Sequence, residues 1–181
     1  MRIERDGAAP KASAAVVVLL AALSGVPAAA EPPHGAPVFR NQVDSMTRAA
    51  LERAGEGALR RLRDPECQQV FSDFRDAEGR PLREKLEATG QTGAGYLSSR
   101  IFFADGSGAR ACQSSDNLAV TNPGSAVVFL CARQFRERVF RDPAWVEAAL
   151  IHEELHSLGL GENPPSSLEI NEQVARRCGR R

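Results

Sequence analysis

Apolar residues recur at helical spacing in the first half of this chain. They fall every three or four positions between residues 43 and 63, which predicts one long helix with a buried face. Asp64 and Pro65 follow as an N-cap and a proline at the first helical position, so a second helix is predicted to run from there to about Phe74. Residues 81–89 predict another short helix.

The pattern becomes that of β-strands beyond residue 90. Residues 91–95 are rich in glycine and predict a loop. Residues 99–104 predict a strand, and residues 126–131 predict the strongest strand of the chain. Two shorter segments, residues 109–112 and 118–121, are further candidates. We expect these strands to form a small, mainly antiparallel sheet.

Two more helices are predicted near the C-terminus. Asp142 can cap the first of them and Pro143 can occupy its first turn, while Gly159 ends it. The second begins after Ser166. Glu169 lies three positions later in its first turn, which is the spacing of a capping box. The predicted fold class is therefore α+β, with N-terminal helices, the small sheet, and two C-terminal helices.

The N-terminus has the layout of a secretory signal peptide. Basic residues precede an uncharged apolar run at residues 14–23, and small residues follow at 28–30. The apolar run is about half the ~20 residues that span a bilayer, so we expect no stable membrane anchor after cleavage. We predict a signal peptide at residues 1–30, a flexible leader at 31–42 and a single domain at 43–181. The protein is then periplasmic or secreted.

Charge and cysteine content narrow the functional classes. The chain has 23 basic and 23 acidic side chains, and this balance argues against binding to nucleic acid. Its four cysteines are Cys67, Cys112, Cys131 and Cys178. An even number in a small exported domain predicts two disulfides, with three pairings open. Metal ligation by the thiolates is disfavoured because no C-x-x-C spacing is present.

The segment His152-Glu153-Glu154-Leu155-His156 carries the strongest chemical signal. Histidines four residues apart lie on the same face of a helix, so both imidazoles can bind one metal ion. Zn²⁺ accepts imidazole ligands and, in catalytic sites, keeps one position open for water. Glu153 lies beside this face, where it can take a proton from that water as a general base.

This H-E-x-x-H segment resembles the motif of the zincin metallopeptidases, over roughly residues 126–178. The resemblance implies a zinc site with His152 and His156 as ligands and Glu153 as general base. It also implies a sheet whose edge strand holds the substrate backbone antiparallel across the cleft. By its order in the sequence, the segment 126–131 is placed to be that strand.

The third zinc ligand stays open among three glutamates. Glu162 follows His156 by six residues, with Gly159 between them, in a spacing similar to the metzincin pattern. Glu169 and Glu172 lie on the predicted last helix, as the ligand glutamate does in the gluzincin pattern. Tyr96 is the only tyrosine and so the only phenol that could donate a proton in the reaction.

Two functions follow from these observations. The leading hypothesis is an exported zinc-dependent peptidase that hydrolyses peptide bonds with a metal-activated water and the Glu153 general base. Its partners would be peptide or protein substrates. The alternative is a non-catalytic periplasmic domain that binds a metal or a partner protein.

Overall fold

Helices surround a four-stranded sheet in the computed structural model, which describes residues 39–179. The predicted signal peptide and most of the predicted leader lie outside this part of the chain. The helices are α1 (Ser45–Leu62), α2 (Pro65–Gln68), α3 (Val70–Asp73), α4 (Leu82–Ala88), α5 (Gly93–Ser99), α6 (Ala132–Arg141), α7 (Pro143–Ser157) and α8 (Ser167–Cys178). The strands are β1 (Arg40–Gln42), β2 (Phe102–Asp105), β3 (Ala119–Thr121) and β4 (Val127–Leu130). The α+β class is confirmed.

The sheet is mixed, so the prediction of a mainly antiparallel sheet was wrong. Its strand order is β1-β2-β4-β3. The pairs β1–β2 and β2–β4 are parallel, and only β3–β4 is antiparallel. Parallel strands need long crossover connections. The helices between β1 and β2, and residues 106–126 between β2 and β4, supply them.

The first predicted helix is confirmed as α1, which packs against α5, α6 and α7. The Asp44 side chain caps it by accepting hydrogen bonds from the backbone N–H groups of Met46 and Thr47. Its buried residues join one hydrophobic core that extends to the last helix. No helix within residues 39–179 combines the length and apolar character needed to cross a bilayer.

Several local predictions differ from the structure. Residues 91–95, predicted as a loop, cap and begin α5, because the Thr92 hydroxyl accepts from the Gly95 N–H. Residues 109–112 enter a short 3₁₀ helix and not a strand. The second predicted helix is split into α2 and α3. Residues 40–42, placed in the leader, form β1 at one edge of the sheet.

Two disulfides are formed, which resolves the open pairing. Cys67 pairs with Cys178 and so links α2 to the end of α8, while Cys112 pairs with Cys131. Arg177, next to the first disulfide, donates hydrogen bonds to Asp73 and Glu66 at 2.7 and 2.6 Å. The last helix is therefore held by covalent and ionic contacts against the segment that follows α1.

Candidate metal centre

The H-E-x-x-H segment forms the last part of α7, which begins as predicted. The Asp142 side chain accepts a hydrogen bond from the Trp145 N–H, and Pro143 occupies the first turn. Every residue from 152 to 157 is buried, including both histidines and both glutamates. Buried ionisable groups need polar partners or a metal ion. A turn of helix that contains four of them is therefore a candidate functional site.

The two imidazoles face each other on one side of α7. Their Nε2 atoms are 2.9 Å apart. The Nδ1 atom of His152 is 2.8 Å from Oδ1 of Asn171 on α8. The Nδ1 atom of His156 is 2.7 Å from the backbone carbonyl oxygen of Leu160. The contacts at Nδ1 thus hold both rings in place, and the two Nε2 atoms are directed towards each other.

These contacts determine which ring nitrogens carry protons. A carbonyl oxygen only accepts hydrogen bonds, so Nδ1 of His156 donates and its Nε2 carries a lone pair. Oδ1 of Asn171 imposes the same tautomer on His152. Burial, followed by the neighbouring His156, lowers the pKa of His152 to about 4 and favours its neutral form. The two Nε2 atoms lie 2.9 Å apart, close enough for one cation to contact both.

Glu162 joins the histidines as a third donor. Its Oε1 is 3.8 Å from Nε2 of His156, and one donor atom from each of the three side chains lies within 4.8 Å of the others. Gly159 makes this possible by turning the chain directly after α7, with a φ of 109° that side-chain-bearing residues rarely adopt. Glu162 is partly exposed, so the three donors meet where the buried histidines reach the surface.

The other two candidate glutamates lie outside this cluster. Glu169 accepts hydrogen bonds from the backbone N–H and hydroxyl of Ser166, which completes the predicted capping box of α8. Glu172 is exposed on the same helix. Among residues 39–179, the group arranged to hold a metal is His152, His156 and Glu162.

Glu153 is buried beside the histidines, and its Oε2 has no hydrogen-bond partner within residues 39–179. Burial raises its pKa to about 7, while the Thr121 hydroxyl opposes this and the Glu162 carboxylate adds to it. The Thr121 oxygen is itself buried without a hydrogen bond of ordinary geometry, so its influence on Glu153 comes from proximity. The unpartnered carboxylate oxygen is suited to receive a proton from a bound molecule.

Glu154 is the one residue of the motif that the site does not explain. It is completely buried, and burial raises its pKa well above the usual range. Neither of its oxygens has a hydrogen-bond partner among the described residues. Nothing in this part of the chain accounts for a carboxyl group at this position.

The strand beside the site is β3 and not the segment that we predicted. Residues 126–131 contain β4, which lies inside the sheet between β2 and β3. β3 forms the sheet edge and packs against α7. It brings Thr121 to Glu153, and Ala119 lines a small cavity together with His152 and Glu153. The edge strand beside the site is therefore the shorter one, from Ala119 to Thr121.

Tyr96 was predicted as a possible proton donor and is buried in the protein interior, whereas Asn171 was not predicted and lies in the site. Tyr96 is buried against α7, with its hydroxyl 3.4 Å from Oγ of Ser157, so its hydroxyl contacts the protein interior. Asn171 contributes to the site although sequence reasoning missed it, because only helix packing brings α8 behind His152. The one sequence signal was a polar residue next to the buried Ile170.

Comparison with protein-family models, with curated proteins and with solved structures found no match for this chain. The chemistry of the three donor side chains indicates which metal ion they can bind. Two neutral imidazole nitrogens and one carboxylate oxygen are ligands that Zn²⁺ accepts, and three protein ligands leave a fourth position for water or substrate. The residues present therefore fit a zinc ion.

Proposed function

We propose that this protein is an exported zinc-dependent peptidase of the H-E-x-x-H type. The observation that carries this proposal is the convergence of His152, His156 and Glu162 beside the buried, unpartnered carboxylate of Glu153. The Nε2 atoms of the two histidines are 2.9 Å apart, so one ion can contact both. The two hydrogen bonds at Nδ1 give each ring the tautomer of a metal ligand.

The reaction divides between the ion and the chain. Zinc, when bound, supplies a Lewis acid that makes water a stronger acid and polarises a carbonyl group. Glu153 takes the proton from the attacking water at its free oxygen and later passes it to the nitrogen of the departing peptide. His152 and His156 hold their orientation through Asn171 and the Leu160 carbonyl during both steps.

The sheet edge supports a peptide as the substrate. Within residues 39–179, β3 is paired on one side only, so its other edge can accept an extended peptide as an additional strand. The zincin resemblance implies the antiparallel direction for that peptide. Because β3 packs against α7, the peptide backbone would pass the carboxylate of Glu153.

Export is supported by the cysteines. Both pairs are joined as disulfides, and disulfides persist in oxidising compartments outside the cytosol. The predicted signal peptide at residues 1–30 provides the route. We therefore place the activity in the periplasm or outside the cell.

The first experiment measures zinc per chain by elemental analysis on protein purified after export. We expect about one zinc per wild-type chain, almost none in His156→Ala, and weaker retention in Glu162→Gln. Glu169→Gln and Glu172→Gln are the matched comparisons and should keep the metal. A folded wild-type chain that retains no zinc after metal addition would exclude the centre.

The second experiment tests catalysis. The zinc-loaded wild type is incubated with a mixed peptide library, and new termini are identified by mass spectrometry. Glu153→Gln should keep its zinc and lose cleavage by at least ~100-fold, because the general base is removed. Equal cleavage by both proteins would disprove the mechanism, and zinc binding without any cleavage would favour the non-catalytic metal-binding domain.

A further inference from the structure

A small cavity of about 80 Å³ opens beside His152 and Glu153. Its walls come from the loop before β3 and the start of that strand, from α7 between Trp145 and Glu153, and from the start of α8. A volume of this size holds a few water-sized groups, which corresponds to the end of one side chain. The residues that matter for its chemistry are Asp116, Asn117, Trp145 and Asn171.

The walls of this cavity favour a positive charge. Trp145 lines it and is 39% exposed, although most of the other large apolar side chains are buried. Asp116 lines the same cavity, is exposed, and makes no ion pair within residues 39–179. No Lys or Arg lines the cavity. An unpaired carboxylate near an aromatic ring attracts an ammonium or guanidinium group by charge and by cation–π contact.

Asp116 belongs to a loop that is braced on several sides. The Cys112–Cys131 disulfide ties the start of the loop to the end of β4. The Gln134 amide on α6 donates hydrogen bonds to the carbonyl oxygens of Cys112 and Ser114. The Asn117 amide donates to the Ala111 carbonyl at 2.8 Å. The carboxylate is thus presented from a held position, as selective recognition requires.

The direction of β3 tells which substrate residue reaches the cavity. Asp116 precedes the strand, and beyond its other end the Gly124 N–H donates a hydrogen bond to the carbonyl oxygen of His156. A peptide antiparallel to β3 runs from the Thr121 end towards the Ala119 end. Residues on the C-terminal side of the cleaved bond therefore pass Asp116.

We infer that the protein selects peptides with a lysine or arginine on the C-terminal side of the cleaved bond, and that Asp116 and Trp145 determine this preference. The inference rests on the proposed peptidase function and adds a substrate class to it. Asp116 binds the cationic end of the side chain, and Trp145 covers its aliphatic stem and charge.

Binding can be measured apart from catalysis because Trp145 is the only tryptophan of the chain. The zinc-loaded full chain is titrated with N-acetyl-arginine amide and N-acetyl-lysine amide, with N-acetyl-norleucine amide as the uncharged comparison. We expect a saturable change in tryptophan fluorescence with the cationic probes and a response about tenfold weaker with the uncharged one. Asp116→Asn should weaken cationic binding about tenfold, whereas Glu52→Gln, which removes an exposed carboxylate on α1, should not.

The cleavage library separates the two proposals. Glu153-dependent cuts that are followed by Lys or Arg, with the enrichment lost in Asp116→Asn and reversed towards acidic residues in Asp116→Lys, would support the inference. Cleavage with no such enrichment, or with one that Asp116→Asn keeps, would overturn the inference and leave the peptidase intact. If no peptide is cut, the peptidase proposal fails, and the fluorescence titration alone decides whether the cation pocket exists.

Discussion

At the scale of single residues, the candidate centre depends on groups that touch no metal. Asn171 and the Leu160 carbonyl each accept a hydrogen bond from Nδ1 of one histidine. They fix both the ring orientation and the tautomer, so the two Nε2 atoms are prepared as ligands before an ion arrives. We therefore expect the affinity for zinc to depend partly on residues that the motif does not contain.

Asn171→Ala tests this contribution. Removing the acceptor frees the His152 ring, so we expect the dissociation constant for zinc to rise about 10–100-fold. A competitive titration with a zinc-sensitive dye measures it. Glu172→Ala, the next position on α8 and exposed, is the control. Equal affinities for the two variants would show that Asn171 does not position the ligand.

Gly159 has the second critical position at this scale. Its φ of 109° is unfavourable for any residue with a Cβ, and that Cβ would lie 3.0 Å from Nζ of Lys85. We expect Gly159→Ala to lower the free energy of unfolding by about 2 kcal/mol and to weaken zinc binding, since Glu162 follows the turn. Gly161→Ala, where a Cβ has open space, should change little. Urea unfolding with and without zinc compares them, and similar losses in both variants would contradict the prediction.

At the scale of elements, the connection between α3 and α4 supports the turn that follows α7. The Asp76 carboxylate is almost fully buried there and is 2.9 Å from Nζ of Lys85 on α4. It also accepts hydrogen bonds from the backbone N–H groups of Glu78 and Arg80. Lys85 and Asp76 both lie against Gly159. This ion pair therefore forms the surface on which the turn between α7 and Glu162 packs.

The pH dependence of stability follows from this carboxylate. Burial by itself raises the pKa of Asp76, but the hydrogen bonds from Lys85 and the Arg80 backbone outweigh it and hold the pKa well below its usual range. A lowered pKa stabilises the fold fully above the unfolded value of about 3.9, and this stabilisation is lost as the pH falls below it. Asp76→Asn should lower stability at pH ~7 and flatten the loss on acidification to pH ~3.

Urea unfolding across this pH range measures the effect, with Glu52→Gln as a control on an exposed carboxylate. A variant at Asp76 that kept the acid dependence of the wild type would place the responsible groups elsewhere.

The element scale also shows which predictions succeed. α1 was predicted from its apolar spacing, and α7 and α8 from caps and apolar spacing that lie within a few residues of one another. α4, which has no side-chain cap, lies within the predicted residues 81–89. α5 was missed because glycines near its start resembled a loop, although the Thr92 cap was readable. β1 was missed because it has only three residues and no distinctive pattern of its own. Its partner β2 is separated from it in the sequence by helices α1 to α5.

At the scale of the whole molecule, the Cys67–Cys178 disulfide ties the candidate centre to the rest of the fold. It joins cysteines 111 positions apart and holds α8, which carries Asn171. Arg61 on α1 reinforces this arrangement through Glu147 on α7 at 2.6 Å and through the Cys178 carbonyl. α1, α7 and α8 are thus joined near the C-terminal end of α8. The position of Asn171, which contacts His152, depends on these contacts.

Removing this disulfide should affect both stability and metal binding. For Cys67→Ser with Cys178→Ser, we expect the free energy of unfolding to fall by about 4–5 kcal/mol, as the loop-entropy relation gives for a loop of this length. The bridge between Cys112 and Cys131 spans only 19 positions, so its removal should cost about 3 kcal/mol. Only the first variant should also weaken zinc binding, because it frees α8. Unfolding and zinc titrations test both, and equal zinc affinity in both variants would break the proposed link.

The sequence by itself determined the features that nearest neighbours along the chain control. These are the long first helix, the capped motif helix, the capping box, and the placement of His152, Glu153 and His156 close together on one helix. A local pattern was sufficient because helix geometry brings residues three and four apart together without help from the rest of the chain.

Only the tertiary structure decided the remainder. It separated Glu162 from Glu169 and Glu172, paired the cysteines, put Asn171 behind His152, and made β3 the edge strand in a mixed sheet. Each of these depends on contacts between residues far apart in sequence, whose partners are chosen by the packing of helices against the sheet. A motif predicts the ligands that share its own helix, and the fold determines what completes the site.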